Sequence, residues 1–302
     1  MLSPVGGHGK RPRADIGKAV RHYVSAIAFL TTLVVVVGTA GCGQRAGARS
    51  GEAPSGSDLA ADALAALEDK GSAHFVSDFK TTLPGYSDEA ALTIHAEGDA
   101  SASAVDLDGT VAVGGLNISG HVLVDAHNVF VEFMGEWYGE DQGLADALRD
   151  AHRSYNGASP WDDWATPEGL RRNFDQLFTG EVSAGPLTDG VETWQFEGRL
   201  NADGLARLGD RYGEPTLPKL NQKFADASHV LLVVGRDDHL PRRLELTVKM
   251  SPEDLKELSN DGAANFESTL VLSDFGKPVE VHAPPSVTPL DELFDKLFPG
   301  FE

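Results

Sequence analysis

The stretch LTIHAEGDASASAVDLDGTVAVGGLNISGHVLVDAHNVFVEF, residues 92–133, decides the fold class. Apolar and polar residues alternate through it with period 2, which sends successive side chains to opposite faces of a strand. Leu92, Ile94 and Ala96 alternate with Thr93, His95 and Glu97, and Leu116, Ile118, Gly120, Val122 and Val124 alternate with Asn117, Ser119, His121 and Asp125. Asp108-Gly109, Gly114-Gly115 and His127-Asn128 are turn-favouring pairs, so the spacing predicts an antiparallel meander joined by hairpins. One face of that meander is apolar and the other is polar.

Helical periodicity flanks the meander. Upstream, Ser57 and Asp58 offer N-cap chemistry, Leu59, Ala63 and Leu67 share a face, and Gly71 stops the turn. Downstream, helical spacing runs from Gly143 to Gly180, with Thr166-Pro167 opening a helix whose Leu170, Phe174, Leu177 and Phe178 fall at i, i+4, i+7 and i+8. A second strand set is expected at Val191–Leu200, Val230–Arg236, Leu244–Met250, Phe266–Leu272 and Val279–His282, with helices near Asp203–Arg211 and Pro218–Ala227 and a hairpin turn at Asp237–Pro241. Thr288-Pro289 and the one-sided run Leu290, Leu293, Phe294, Leu297, Phe298 predict a closing helix. The sum is an α+β domain in which helices cover one face of a large antiparallel sheet.

The chain has three expected parts: 1–41, 42–57 and 58–302. Residues 1–41 hold five basic residues and one acidic one, followed by an uncharged apolar run from Val24 to Val37. That pattern is an export signal; an uncleaved anchor from Tyr23 to Ala40 is the other reading, though it is short of the roughly 20 residues a spanning helix needs. Ala40-Gly41 before the only cysteine, Cys42, resembles a bacterial lipobox, with Thr39 where an aliphatic residue is usual. Processing there would place diacylglycerol on Cys42 and hold the protein at the outer face of the plasma membrane. The Gly/Ala/Ser-rich stretch Gly43–Ser57 reads as a flexible tether with an r.m.s. span of roughly 20 Å.

Charge and missing motifs narrow the function. The remaining 261 residues carry 20 basic and 45 acidic side chains, a charge of −25, which repels phosphate backbones and argues against nucleic-acid binding. There is no nucleophile elbow, no phosphate-binding glycine loop and no His-Glu-x-x-His. Asp106-Leu107-Asp108-Gly109 starts like a calcium loop, but Val111 and Val113 occupy later ligand positions, and a hairpin turn explains the run better. His121 and His127 read as solvent-facing rather than metal ligands, and Asp162-Asp163 and Glu140-Asp141 as solvated acids in loops leading into helices. Neither catalytic residues nor a metal or cofactor is expected.

Apolar architecture is what is left. Ala96, Ala104, Ala112 and Gly120 are small where a filled core would want bulk, so either helix side chains or a ligand must fill the space. Periodicity puts Ile94, Val113, Ile118, Gly120, Val122, Val131, Phe133, Leu170, Phe174, Leu177, Trp194 and Phe196 around that space. If it is a cavity, Gly120→Phe is expected to reduce ligand loading with little loss of fold.

Several short signatures, in order, carry a family resemblance. They are Glu136-Trp137-Tyr138, Thr166-Pro167-Glu168-Gly169-Leu170, Asp189-Gly190-Val191-Glu192-Thr193-Trp194, Leu240-Pro241-Arg242-Arg243-Leu244, and Leu272–Val279 running into Ala283-Pro284-Pro285. Across Ser72–Pro285 the chain resembles the actinobacterial LppX/LprA/LprF/LprG lipoproteins of the LolA-like lipid-carrier superfamily. The resemblance implies a strongly curved half-barrel with helices packed on its concave face and acyl chains of a lipid or glycolipid between the two. It also implies carriage or presentation of envelope lipids received from a membrane transporter. The same scaffold can serve a sensor that binds a lipid or protein signal and reports to a membrane partner. The helix after Pro289 departs from the family pattern; it would either cover the cavity mouth or pack on the sheet edge.

Overall fold

The computed structural model describes residues 53–82, 91–125, 128–141, 166–211, 218–257 and 265–297. The export signal, Cys42, His127, Asp162 and Asp163 lie outside the described residues. Twelve strands form one open sheet in the order β12-β6-β5-β4-β3-β2-β1-β11-β10-β9-β8-β7. In chain order they are β1 (Ser72–Thr82), β2 (Ala91–Ser101), β3 (Val105–Val113), β4 (Leu116–Val124), β5 (Asn128–Phe133), β6 (Glu136–Asp141), β7 (Phe178–Ala184), β8 (Thr193–Leu200), β9 (Ser228–Gly235), β10 (Pro241–Val248), β11 (Phe266–Ser273) and β12 (Thr288–Pro289). Every neighbouring pair is antiparallel except β12 with β6. The described helices are α1 (Gly56–Lys70), α2 (Pro167–Leu177), α3 (Ala202–Arg211), α4 (Pro218–Ala227), α5 (Pro252–Glu257) and α6 (Leu290–Leu297).

Caps set the helix ends. The Ser55 side chain accepts from the Asp58 N–H at 3.1 Å, so α1 begins two residues before the position expected from Ser57, and Gly71 ends it in the left-handed region at φ 73°. Leu59, Ala63 and Leu67 are all buried, as their spacing predicts. Thr166 caps α2 by accepting from the Gly169 N–H at 3.0 Å, with Pro167 in the first turn. Phe178 does not extend the α2 stripe: its backbone is extended (φ −121°, ψ 144°) and it opens β7.

The meander holds as β2 to β5, with one turn misplaced. Asp108 and Gly109 sit in the middle of β3, paired with His121 and Gly120, and the preceding turn falls at Ser101–Ala104 instead. Alternation passes through them unbroken: Val105, Leu107, Gly109 and Val111 share one face, while Asp106, Asp108, Thr110 and Ala112 share the other. Ala104 is therefore a turn residue and Ala112 faces away from Ala96 and Gly120. Glu140 and Asp141 end β6, and 279–282 is not a strand.

Register fixes the two faces. On the outer face, histidines and acids interleave: His74 meets Asp99 at 3.0 Å, His95 meets Asp78 at 2.8 Å and His121 meets Asp106 at 2.7 Å. On the inner face, α1 and α2 pack with Phe79, Phe196, Leu200, Val230, Leu232, Val234, Val248 and Phe266 in one buried apolar core. The two helices run antiparallel and are tied at their polar edge by Ser57 to Asp175 at 2.9 Å and by Arg171 to Asp62 at 2.5 Å.

Candidate functional site

The expected cavity residues divide into two groups. Leu170, Phe174, Leu177 and Phe196 are fully buried, with Ile94 and Trp194 packed against them. Phe174 and Phe196 meet edge to face at 5.0 Å between ring centroids, and Phe178 stacks obliquely on Phe174 at 4.7 Å. This group is a filled helix-on-sheet core over β7 to β11. Ile118, Gly120, Val122, Val131 and Phe133 lie on the same inner face but in the other half of the sheet, and all are only half-buried. Val113 pairs with Leu116 at the β3–β4 turn.

Between these groups, the described residues of the inner face include a row of small side chains. Ser77, Ala96, Gly109 and Gly120 are cross-strand partners in succession from β1 to β4, ending at Phe133 on β5. At about 4.8 Å per strand, this row makes a trough roughly 14 Å long with no side chain larger than a hydroxymethyl. Phe79, Ile94, Val111 and Ile118 form its upper wall, and Phe75, Leu107, Val122 and Val131 its lower wall. Among the described residues, Val111, Ile118 and Val122 join none of the buried apolar clusters. Alternation alone could have revealed Gly109, Val111 and Leu107, had Asp108-Gly109 not read as a turn.

The two glycines of the trough differ. A Cβ on Gly109 would meet only Leu107 Cδ1 at 3.6 Å, the His95 carbonyl at 3.8 Å and the Gly120 carbonyl at 4.0 Å. A Cβ on Gly120 would stand 2.7 Å from the Glu132 carbonyl oxygen, so glycine there is a condition of β4–β5 pairing. Gly120→Phe therefore disrupts the sheet itself, which overturns the expectation that it would spare the fold.

At the far edge, Thr288-Pro289 pairs with β6, and Leu290 and Leu293 of α6 bury against Tyr138 beside Val131 and Phe133. The C-terminal helix thus packs at the sheet edge, beside Phe133 where the row ends. Tyr138 is 1% exposed and donates its hydroxyl proton to Glu136, while Lys296 Nζ on α6 donates to both at 2.7 Å. The bonds from Lys296 and then Tyr138 hold the Glu136 carboxyl below its usual range, and the same network raises Lys296. A depressed carboxyl stabilises fully above its unfolded value, near 4.5, and the contribution is lost as pH falls through the folded value. Acidification below that range is expected to loosen α6, read as faster amide exchange over 290–297 after correction for intrinsic rates. Glu136→Gln should abolish that pH dependence; an unchanged profile in the variant would contradict the assignment.

Among the described residues no group of three or more His, Cys, Asp or Glu side chains could hold a metal, and no helix is long and apolar enough to cross a membrane. No family model and no curated protein matches the chain. Among solved structures, it is similar to the lipoprotein LppX of Mycobacterium tuberculosis, at 17% identity over 76% of this chain and 100% of that one, with a TM-score of 0.40. It is also similar to LprF from Mycobacterium bovis, at 14% identity over 77% and 99% of the two chains and a TM-score of 0.42, and to the MucA/MucB complex of Pseudomonas aeruginosa, at 14% identity over 74% and 58% and a TM-score of 0.30.

Proposed function

We propose that this protein is an exported envelope lipoprotein, anchored through Cys42, that binds acyl chains of a lipid or glycolipid in the inner-face trough and carries or presents them. One observation supports this most: among the described residues, helices cover the inner face over β7 to β11, while over β1 to β4 a row of Ser77, Ala96, Gly109 and Gly120 runs beside Val111, Ile118 and Val122, which join no buried cluster. An apolar surface of this kind normally acquires a cover, and an acyl chain supplies one without a catalytic residue.

The mechanism is exchange of apolar surroundings. A chain leaving a bilayer would lose about 0.8 kcal/mol per methylene if exposed to water, and the trough walls replace the lost lipid contacts. Selectivity would be by shape, with each methylene worth about 1–3 kcal/mol. The transferred lipid would come from a membrane transporter and leave to an envelope acceptor. Mass measurement of the purified protein with its lipid extracted tests the reading.

A further inference from the structure

From the two hairpin tips at one end of the sheet we infer that the protein docks that end on the bilayer, through Leu116 and Met134. The inference rests on the lipid-carrier reading for its direction of transfer, and on separate observations for the contact.

Leu116 is 57% exposed at the β3–β4 turn and Met134 is 86% exposed at the β5–β6 turn. Met134 also holds φ 53°, a left-handed turn conformation that ordinarily falls to glycine or asparagine, so nothing in the fold asks for a large apolar side chain there. Around Leu116 the sequence from Gly109 to Gly120 has no charged residue and no histidine, in a body of charge −25. The Leu116 tip thus carries no charge of its own, while the Met134 tip lies between Glu132 and Glu136, the latter paired with Lys296 at 2.7 Å.

Two further observations give the contact its orientation. Packed over the sheet, α1 descends to Gly71 where β1 begins its ascent, so its capped start at Ser55 faces the end where β1 finishes. The start of α1, and not its end, is therefore turned toward the side of the tips. Leu116 is also continuous with the trough: it is followed on the same face of β4 by Ile118, Gly120 and Val122. A chain rising from the bilayer at Leu116 meets apolar side chains all the way to the trough.

Leu187 serves as an internal control, because it is 70% exposed but lies in the β7–β8 connection at the opposite end of the sheet. The test places a benzophenone-bearing residue at 116, 134 or 187 of the full chain, one at a time, and irradiates it on vesicles of isotopically labelled phosphatidylcholine and phosphatidylglycerol. Labelled phospholipid adducts are expected at 116 and 134 and not at 187. A vesicle-bound chain with no adduct at 134, or with equal adducts at 187, overturns the docking. Position 134 separates this inference from the function above, since it lies outside the trough. Retained lipid with a bare 134 defeats the docking alone, and adducts at 134 on a chain that never retains lipid defeat the carrier reading alone.

Discussion

Gly109→Phe is expected to empty the trough of bound lipid while leaving the protein folded. The site has room for the first carbon of a side chain, with every neighbour at 3.6 Å or beyond, and the backbone there needs no left-handed conformation. A ring at 109 would project from the middle of the row between Ala96 and Gly120, where an acyl chain would otherwise lie. Glycine inside a strand is itself destabilising by roughly 0.5–1 kcal/mol relative to alanine, so the substitution should hold or slightly raise Tm. Loss of most co-purifying lipid at unchanged Tm is the expected pair of results. Undiminished loading would place the ligand elsewhere. Gly120→Phe serves as the contrast, since its clash with the Glu132 carbonyl should lower Tm whether or not lipid binds.

Phe196→Ala is expected to have the largest effect on stability. The ring is 2% exposed and is wedged among Phe174, the start of α1 and the glycine pair Gly180 and Gly198. Removing a buried phenylalanine costs about 3–5 kcal/mol, from lost transfer energy and from the cavity left behind. For a body of this size, at about 2–4 °C per kcal/mol, Tm should fall by roughly 10 °C. Thermal unfolding followed by circular dichroism reads this directly. A fall of only about 2 °C would mean that α1 and α2 are not seated on β8.

The sequence legibly carried the elements whose patterning is strong. Leu116–Val124 alternates cleanly and is a strand, and Pro218–Ala227 is a helix at its expected bounds. What was hard to read has physical causes. Phe75 and Phe79 of β1 are four apart, a spacing that suits a helix face as well as a strand face, and β1 was not separately legible. Phe178-Thr-Gly-Glu-Val-Ser-Ala, the edge strand β7, has few apolar residues, so Phe178 falls at helical spacing from Leu170 and Phe174 with no strand pattern to mark the change. Asp108-Gly109 is a strong local turn signal that tertiary pairing overrides, since both residues have partners on β2 and β4. The latch between Lys296 and Glu136 joins residues 160 positions apart, and no local pattern marks it.

The same limits shaped the site. The register puts Ile94, Ile118, Gly120, Val122, Val131, Phe133, Trp194 and Phe196 on one face, a property that alternation within each strand carries locally. Which of them end up under helices depends on where α1 and α2 land. That is decided by long-range contacts such as Ser57 with Asp175 and Arg171 with Asp62.

Native mass spectrometry of residues 43–302, with extraction and identification of any bound molecule, tests the central claim most directly. Purified from a bacterium that makes diacyl and triacyl envelope lipids, the protein is expected to carry one lipid per chain, released on denaturation. A folded protein that emerges empty, and stays empty when offered diacyl and triacyl lipids, would contradict the carrier reading and leave the sensor reading in its place.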